Sequence, residues 1–435
     1  MASPRLAVLG AAVIVSSVLG GSFGFAASPT PSPTPSPSTS TSPTASPTPT
    51  PTSTDALTRL TEQVQAALRG STAGRLHYKV SVSGLGSISH GPNRSSAPAS
   101  NEKIFTTVAL LEQVGASYRY DTKVSGTAAP IGGTLTGDLV LVGSGDPTLT
   151  RHNLGALARK LRDTGLRRVT GSLVVDDTRY SHKTRAPGWK HDFLPGESGA
   201  VDAFSVDNDN WRSSRTFLAD PSHANAGLWR QALKTAGIHV AGPTRIGAAP
   251  TAVFSLAQHE SRPLSKIVRM TLRESINYYA EMMLRELGYQ YAGHGSRTSG
   301  LAAIRHLARS LGLPIGRIED GSGLSYANRE TPGTYVAWLA RLTGLPPAYR
   351  VVYAGLPASC QPGGTLQYRM CGRHMKGVVH AKTGTLTHIT SLSGYAQTRG
   401  GRFVTFSFLL SRVGSITTAN NHVDAALKAI VRSDD

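Results

Sequence analysis

Residues 98–107 read PASNEKIFTT. Ser100 can open a helix that ends near Gly115, and the i, i+3 spacing puts Ser100 and Lys103 on one face of it. A serine hydroxyl in its ordinary state is a poor nucleophile and needs a base beside it. A lysine serves as that base when burial or a second cation keeps it neutral. A helix N-terminus also aims amide donors at a developing oxyanion. Taken alone, the same four residues read more simply as a capped helix start.

Two other short stretches carry the same kind of chemistry. Ser275-Ile276-Asn277 lies inside RESINYYAEMML, within a predicted helical region at 262–287. By itself a serine and an asparagine there mean polar surface or a turn. Lys382-Thr383-Gly384-Thr385 comes just before a strand predicted to begin at 388. A cation and two hydroxyls on a strand edge can bind a carboxylate, and the glycine lets a substrate backbone come close. By itself this is also what a solvated hairpin entry looks like.

The remaining elements follow from periodicity. The runs HITSLSGYAQT (388–398) and RFVTFSFLLS (402–411) alternate as a hairpin joined by Arg399–Gly401. Residues 55–69 read as a helix with Leu57, Leu60, Val64 and Leu68 on one face, capped by Asp55 and stopped by Gly70. Residues 76–90 predict a strand pair. The stretch 131–180 is β-rich around a helical segment at 152–165. Residues 181–226 have loop-like composition, and 227–254 add a short helix and strands. Further helices are predicted at 300–311, 331–343 and 417–432. No internal repeat is visible.

Composition bounds the rest. At 435 residues, 39% hydrophobic and 16% charged, the chain has room for two or three domains. It is neither a coiled coil, nor a multispanning membrane protein, nor wholly disordered. The formal charge of +19 suits an anionic partner or a solvated basic surface. Two cysteines exclude a disulfide-dense scaffold and a four-cysteine zinc module. The 14 histidines show no metal-ligand spacing such as HExxH, so no metal or cofactor is expected. Gly143–Pro147 could suggest a phosphate loop but lacks the following Lys-Ser/Thr.

Residues 1–27 have the three parts of an export signal: Arg5, an uncharged apolar run from Leu6, and Gly24, Ala26 and Ala27 at a cleavage site. The 22 residues from Leu6 to Ala27 could also just span a bilayer, so a cleaved signal and a retained anchor both fit. Residues 28–54 are almost wholly Ser, Thr and Pro and read as a semi-rigid spacer. In an exported chain, Cys360 and Cys371 favour a disulfide over free thiols.

Ser-x-x-Lys, Ser-x-Asn and Lys-Thr-Gly in this order resemble the signature of the penicillin-recognising serine enzymes. The long interval of 175 residues from Ser100 to Ser275, against 107 from Ser275 to Lys382, narrows the likeness. Further matches are LVLVGSGDPTL (139–149), SINYYAEMML (275–284), DGSGLSYAN (320–328), GTLQYRM (364–370) and AKTGTL (381–386). Over essentially all of 55–435 the chain resembles the D-alanyl-D-alanine carboxypeptidases/endopeptidases, the low-molecular-mass class C penicillin-binding proteins.

That resemblance implies an α+β fold. A transpeptidase/β-lactamase-like domain, an antiparallel sheet with helices on both faces, would be built from 55–118 and 256–435. Residues 119–255 would form an inserted β-rich accessory domain. In roles, Ser100 would be the nucleophile and Lys103 its base. Ser275 would shuttle a proton, Asn277 would position the substrate amide, and Lys382 would keep the site positive and lower the pKa of Lys103. Thr383 and Thr385 would bind the terminal carboxylate, with Gly384 between them, and the amides of Ser100 and Thr385 would form the oxyanion hole. The implied partners are peptidoglycan stem peptides and β-lactams, with the protein working outside the cytoplasm, secreted or associated with wall or membrane. The turn at Asp320–Gly323 would shape a wall of the site, or is an ordinary tight turn.

The chain departs from the family pattern twice. Ile276 stands where Asp is common, which puts the rigidity of that loop in question. The insert is also shorter than in relatives with two accessory domains, so one is expected, with the smaller nested one reduced or absent. Three other classes compete. A β-lactamase would need a deacylating carboxylate motif that is not visible after Ser275. A non-catalytic wall-binding or β-lactam-sensing module is opposed by the intact motifs. Nucleic-acid binding is opposed by export and by the lack of a basic–aromatic motif.

Overall fold

The computed structural model describes residues 53–71, 73–210, 221–250 and 253–433. The expected export segment 1–27 and nearly all of the spacer lie outside the described residues.

The hairpin read from alternation is Ile389–Gln397 against Phe403–Val413, and it forms the middle of a five-stranded antiparallel sheet. Both strands are buried along almost their whole length, because helices cover both faces. Ala73–Val82 adds to Phe403–Val413, from Ala73 opposite Val413 to Val82 opposite Val404. Gly86–His90 closes that edge, and His380–Leu386 forms the other. On one face Leu60, Val64 and Leu68 of helix Ser53–Leu68 share a core with Val423, Leu427 and Ile430 of helix Ile416–Arg432. On the other face lie helices Lys103–Val114, Leu264–Glu274, Asn277–Ala292, Arg297–Ser310 and Pro332–Leu342. Their core centres on Phe105, whose ring stacks on Tyr335 at 4.9 Å and meets Trp338 at 4.7 Å.

Between the first two motifs the chain builds a second five-stranded sheet. Its order is Phe254–Glu260, Asp121–Gly126, Leu139–Val142, Leu173–Asp176, Thr244–Ile246. The first two pairings are antiparallel and the last two parallel. Parallel neighbours need crossovers, and helices Arg151–Asp163 and Pro221–Thr235 pack there around Trp229, Leu157 and Leu161. Three two-residue strands at Thr134–Leu135, Arg168–Val169 and His239–Val240 make a small parallel sheet beside it. Pairing of Phe254–Glu260 with Asp121–Gly126 carries the inserted sheet to Glu260, past the expected boundary at 255.

Three elements differ from the sequence reading. The single helix expected at 262–287 is two, Leu264–Glu274 and Asn277–Ala292, broken at Ser275 in a left-handed conformation with φ 58°. No glycine or proline marks that break, and the apolar pattern runs through it. His380–Leu386 is a strand in its own right rather than the approach to one, because its partner Ile389–Gln397 supplies the ladder that HAKTGTL does not advertise. A helix at Pro346–Gly355 was not foreseen. Cys360 and Cys371 are joined, with Cα atoms 4.9 Å apart.

One buried carboxylate ties the inserted sheet's flank to the helical layer. Glu286, on helix Asn277–Ala292, receives both Nε (2.9 Å) and NH2 (2.7 Å) of Arg179. It also accepts from Tyr118 (2.6 Å), Tyr180 (2.8 Å) and Gln290 (2.6 Å). Its side chain is fully buried, and Arg179 stacks over Tyr289 at 3.7 Å. Removing one member of such a network leaves the other charge buried and unpaired. Glu286→Ala is therefore expected to destabilise the protein by about 3–5 kcal/mol, read as a lower midpoint in urea unfolding.

Candidate active site

The three motifs are brought together by close packing of backbones. Ser100 sits in a short 3₁₀ turn, Ala99–Glu102, that leads into helix Lys103–Val114. The Pro98 carbonyl accepts a bond from Ser391 Oγ (2.6 Å), and Asn101 Nδ2 reaches Ser393 Oγ (2.8 Å). Both serines lie on the strand next to His380–Leu386. A Cβ on Gly384 would come within 2.7 Å of the Pro98 carbonyl oxygen, so only glycine lets the Ser100 turn sit against this edge strand. Gly323, at φ +85°, packs in the same way against Ala99 from the other side.

Lys103 is fully buried, and its ammonium group is surrounded by oxygens. It donates to Ser100 Oγ (2.9 Å), Asn277 Oδ1 (2.7 Å) and the Ser322 carbonyl (2.6 Å). Burial lowers its pKa to about 7, despite the opposing pull of Asp320 and Glu281. The adjacent Glu102 is fully buried as well: burial, then the charge of Glu330, pushes its carboxyl well up, against the pull of Lys103. Lys382 is equally buried and donates to Ser275 Oγ (2.9 Å) and the Thr383 carbonyl (2.8 Å). Burial, then the charge of Lys103, pushes it well below the usual lysine range. The repulsion between the two ammonium groups is mutual; at Lys103 the nearby buried carboxylates pull against it, whereas at Lys382 it adds to the effect of burial.

All eight motif residues singled out from sequence meet here. Ser100, Ser275, Asn277, Thr383 and Thr385 line one cleft of about 450 Å³, with the two lysines beneath it. Ser275 owes its aim to the helix break, which turns Oγ toward Lys382. The loop that lacks an Asp is held by apolar packing instead: Ile276 lies against the cluster of Tyr278, Tyr279 and Ile267. The Asp320–Gly323 turn is buried and does not itself line the cleft; Leu324 and Tyr326, just after it, do. Asp320 accepts the amides of Gly323 (3.0 Å) and Ser325 (2.7 Å), which fixes the Ser322 carbonyl over Lys103.

Two cleft residues that bond directly to the motif side chains escaped the sequence reading. Glu197 accepts from Asn277 Nδ2 at its backbone (3.1 Å) and at its carboxylate (3.4 Å). It belongs to a stretch read as loop, and no local pattern marks it. Thr365 Oγ1 lies 2.7 Å from Thr383 Oγ1. It stands in GTLQYRM, a matched stretch to which no role was assigned. Cys360 and Cys371 are not among the residues lining the cleft.

Comparison with known proteins agrees with this geometry. The family model for D-Ala-D-Ala carboxypeptidase 3 (S13) matches residues 55–216 and 210–432. The chain is 29% identical over 424 residues to a D-alanyl-D-alanine carboxypeptidase of Actinomadura sp. (strain R39), covering 78% of each. It is 31% identical over 357 residues to a carboxypeptidase of Mycobacterium tuberculosis, covering 75% of this chain and 73% of that one. In fold it is similar to penicillin binding protein 4 of Haemophilus influenzae, with TM-score 0.77 and 20% identity over 86% of this chain and 99% of that one. A second structure of that protein, complexed with a novel β-lactam, gives TM-score 0.71 at 19% identity, covering 85% of this chain and 98% of that one. With the S13 model accounting for both the Ser100 segment and the two later motifs, the chain belongs to the D-Ala-D-Ala carboxypeptidase 3 (S13) family.

Proposed function

We propose that this serine-type D-Ala-D-Ala carboxypeptidase opens the terminal peptide bond of peptidoglycan stem peptides through an acyl-enzyme on Ser100. One observation carries the reading: a buried lysine with its pKa near 7 donates to the hydroxyl of Ser100, in a cleft edged by Lys382-Thr383-Gly384-Thr385. Lys103, when neutral, takes the Ser100 proton as Oγ attacks the carbonyl carbon of the penultimate D-Ala. The negative charge that develops on the carbonyl oxygen faces the amides of Ser100 and Thr385. Collapse breaks the C–N bond, and the leaving D-Ala nitrogen takes up, by way of Ser275, the proton that Lys103 removed from Ser100, which leaves Lys103 neutral again. Lys103 then takes a proton from water as the water oxygen attacks the ester; the bond to Ser100 Oγ breaks, Oγ recovers that proton, and the shortened peptide leaves. The same acyl transfer to a cross-linked D-Ala bond would be endopeptidase action, and to a β-lactam ring would be inhibition.

Substrate charge has a place in this scheme. A terminal carboxylate beside Thr383 and Thr385 would stabilise the cationic form of Lys382. A cation there disfavours a second one on Lys103, so substrate binding would favour the neutral base. The substrate class places the protein outside the cytoplasm. Residues 1–27 would supply the export signal or anchor and 28–54 the spacer. We assign 55–118 and the chain after Glu260 to catalysis, and the stretch from 119 through Glu260 to an accessory domain that builds one wall of the cleft. The separate core of the inserted sheet supports that division.

Ser100→Ala is expected to abolish both penicillin acylation, read by intact mass, and D-Ala release. Lys103→Arg should be nearly as damaging as Lys103→Ala, a loss on the order of 10²–10⁴, because a guanidinium does not give up its proton. Retained activity in the arginine variant would make Lys103 a fixed charge instead.

The Lys103 pKa also sets a pH profile. The base works unprotonated, so the acylation rate should rise with pH to a plateau above about 7. Below it the rate should fall roughly tenfold per pH unit. Stopped-flow acylation by a chromogenic β-lactam measures this, and a rate flat across neutral pH would contradict it.

Thr383→Val keeps the shape and removes a hydroxyl from the carboxylate site. Hydrogen bonds to charged groups contribute about 1.5–3 kcal/mol, so kcat/KM on free-acid peptides should drop roughly 10- to 150-fold. C-terminally amidated peptides should be poor substrates for the parent and lose much less on mutation. Equal losses on both peptides would place the carboxylate elsewhere.

A further inference from the structure

Behind the wall that carries Glu197 lies a cluster unused by the reaction. Asp177 directly follows the inserted sheet's strand Leu173–Asp176, and His182 and Asp202 come back beside it. One oxygen of each carboxylate and one ring nitrogen of His182 lie within 4.8 Å of one another. His182 Nδ1 is 3.4 Å from Asp202 Oδ2, and its Nε2 is 3.7 Å from Asp177 Oδ2. The Asp202 side chain is fully buried, whereas His182 is 59% exposed. Asp202 Oδ1 accepts from the Phe204 amide (2.9 Å) and Ser222 Oγ (2.6 Å). Its Oδ2 is buried with no hydrogen-bond donor among the described residues, and faces the imidazole.

A buried carboxylate oxygen without a donor is costly, and two acids side by side make it worse. Burial, then the charge of Asp202, pushes the Asp177 carboxyl up. A dication answers both problems at once. We propose that Asp177, His182 and Asp202 bind one divalent transition-metal ion, with zinc the best match. Two carboxylates and an imidazole form a mixed oxygen–nitrogen donor set, which suits zinc, whereas calcium and magnesium favour oxygen alone. Zinc bonds of about 2.0–2.2 Å in a tetrahedron give donor–donor edges of roughly 3.3–3.6 Å. The 3.4 Å between His182 Nδ1 and Asp202 Oδ2 is such an edge. Water completes the shell from the open side of His182.

The ion's role is to brace. Between His182 and Asp202 lie three contacts to the cleft. Trp189 Nε1 donates to Asp320 (2.7 Å), Lys190 Nζ to Thr387 Oγ1 (3.0 Å), and the Glu197 carbonyl receives Asn277 Nδ2 (3.1 Å). An ion held by Asp177, His182 and Asp202 ties both ends of this stretch to the inserted sheet. Sequence motifs give no sign of it, because the three ligands follow no zinc spacing.

The test uses the untagged exported chain, stripped with a chelator and titrated with Zn²⁺ in equilibrium dialysis with elemental analysis. The parent should bind about one zinc per chain, and its thermal midpoint should rise with Zn²⁺ but not with Mg²⁺. Asp202→Asn and His182→Ala should each bind at least about tenfold more weakly and lose the zinc-dependent rise. Retained penicillin acylation would show that they are folded. Independently of the variants, Co²⁺ added to the stripped parent should give the visible absorption of a tetrahedral oxygen–nitrogen site. No zinc in the parent, equal binding by the variants, or no cobalt spectrum overturns the site. A midpoint that follows the protonation of His182 and ignores both zinc and chelator also overturns it, leaving the imidazole as a plain cation between two acids.

Discussion

Two lysine ammonium groups buried in one seam, held by hydroxyl, amide and carbonyl oxygens rather than by carboxylates, are the constraint around which this molecule is arranged. Burying an ion costs several kcal/mol even after relaxation. The fold meets that cost with acceptors supplied from far apart in the chain. Lys103 draws on the helix start at Ser100, the helix break at Asn277 and the turn at Ser322. None of these segments could take its place without the others, which explains why an edge strand, a helix start and a broken helix converge on one point. The return on this expense is a lysine that can be a base near neutral pH.

The close backbone contacts follow from the same constraint. Gly384 lets the Ser100 turn rest against the edge strand, and Gly323 lets the Asp320 turn close over it. The acids nearest to Lys103 pull its pKa up, but burial outweighs them, and each is tied into the backbone or buried in its own right. Glu281 accepts the amides of Gly321 and Ser322, both at 2.9 Å. Asp320 is committed to its own turn. Burial, then the charge of Glu330, pushes the Glu102 carboxyl well up.

The residues that meet in the candidate site were legible because short motifs in fixed order carry them, and the sheet because 388–398 and 402–411 alternate so clearly. What stayed hidden was everything decided by distant partners. Ser275 takes a left-handed backbone conformation that its sequence neighbours do not announce, because Lys382, far along the chain, needs its hydroxyl. His380–Leu386 becomes a strand only because Ile389–Gln397 is there to pair with it. Glu197, in a stretch with loop composition, reaches the site through tertiary packing alone. The Asp202–His182 pairing likewise joins residues that no local pattern connects.

The chain departs toward the inserted sheet at Tyr120 and returns at Ser261, and these two residues are bonded to each other. The Ser261 amide donates to the Tyr120 carbonyl (2.9 Å), and the Tyr120 amide to Ser261 Oγ (3.0 Å). Everything between them is a loop whose ends already touch. Loop-closure entropy grows only with the logarithm of length, at about 0.6 kcal/mol per doubling. By that term alone, the sheet that carries Lys382 is nearly indifferent to how much chain hangs from that gate. What must be kept are the residues that reach back across it, Arg179 and Tyr180 to Glu286 and Glu197 to Asn277; the rest can lengthen or shorten without re-solving the core.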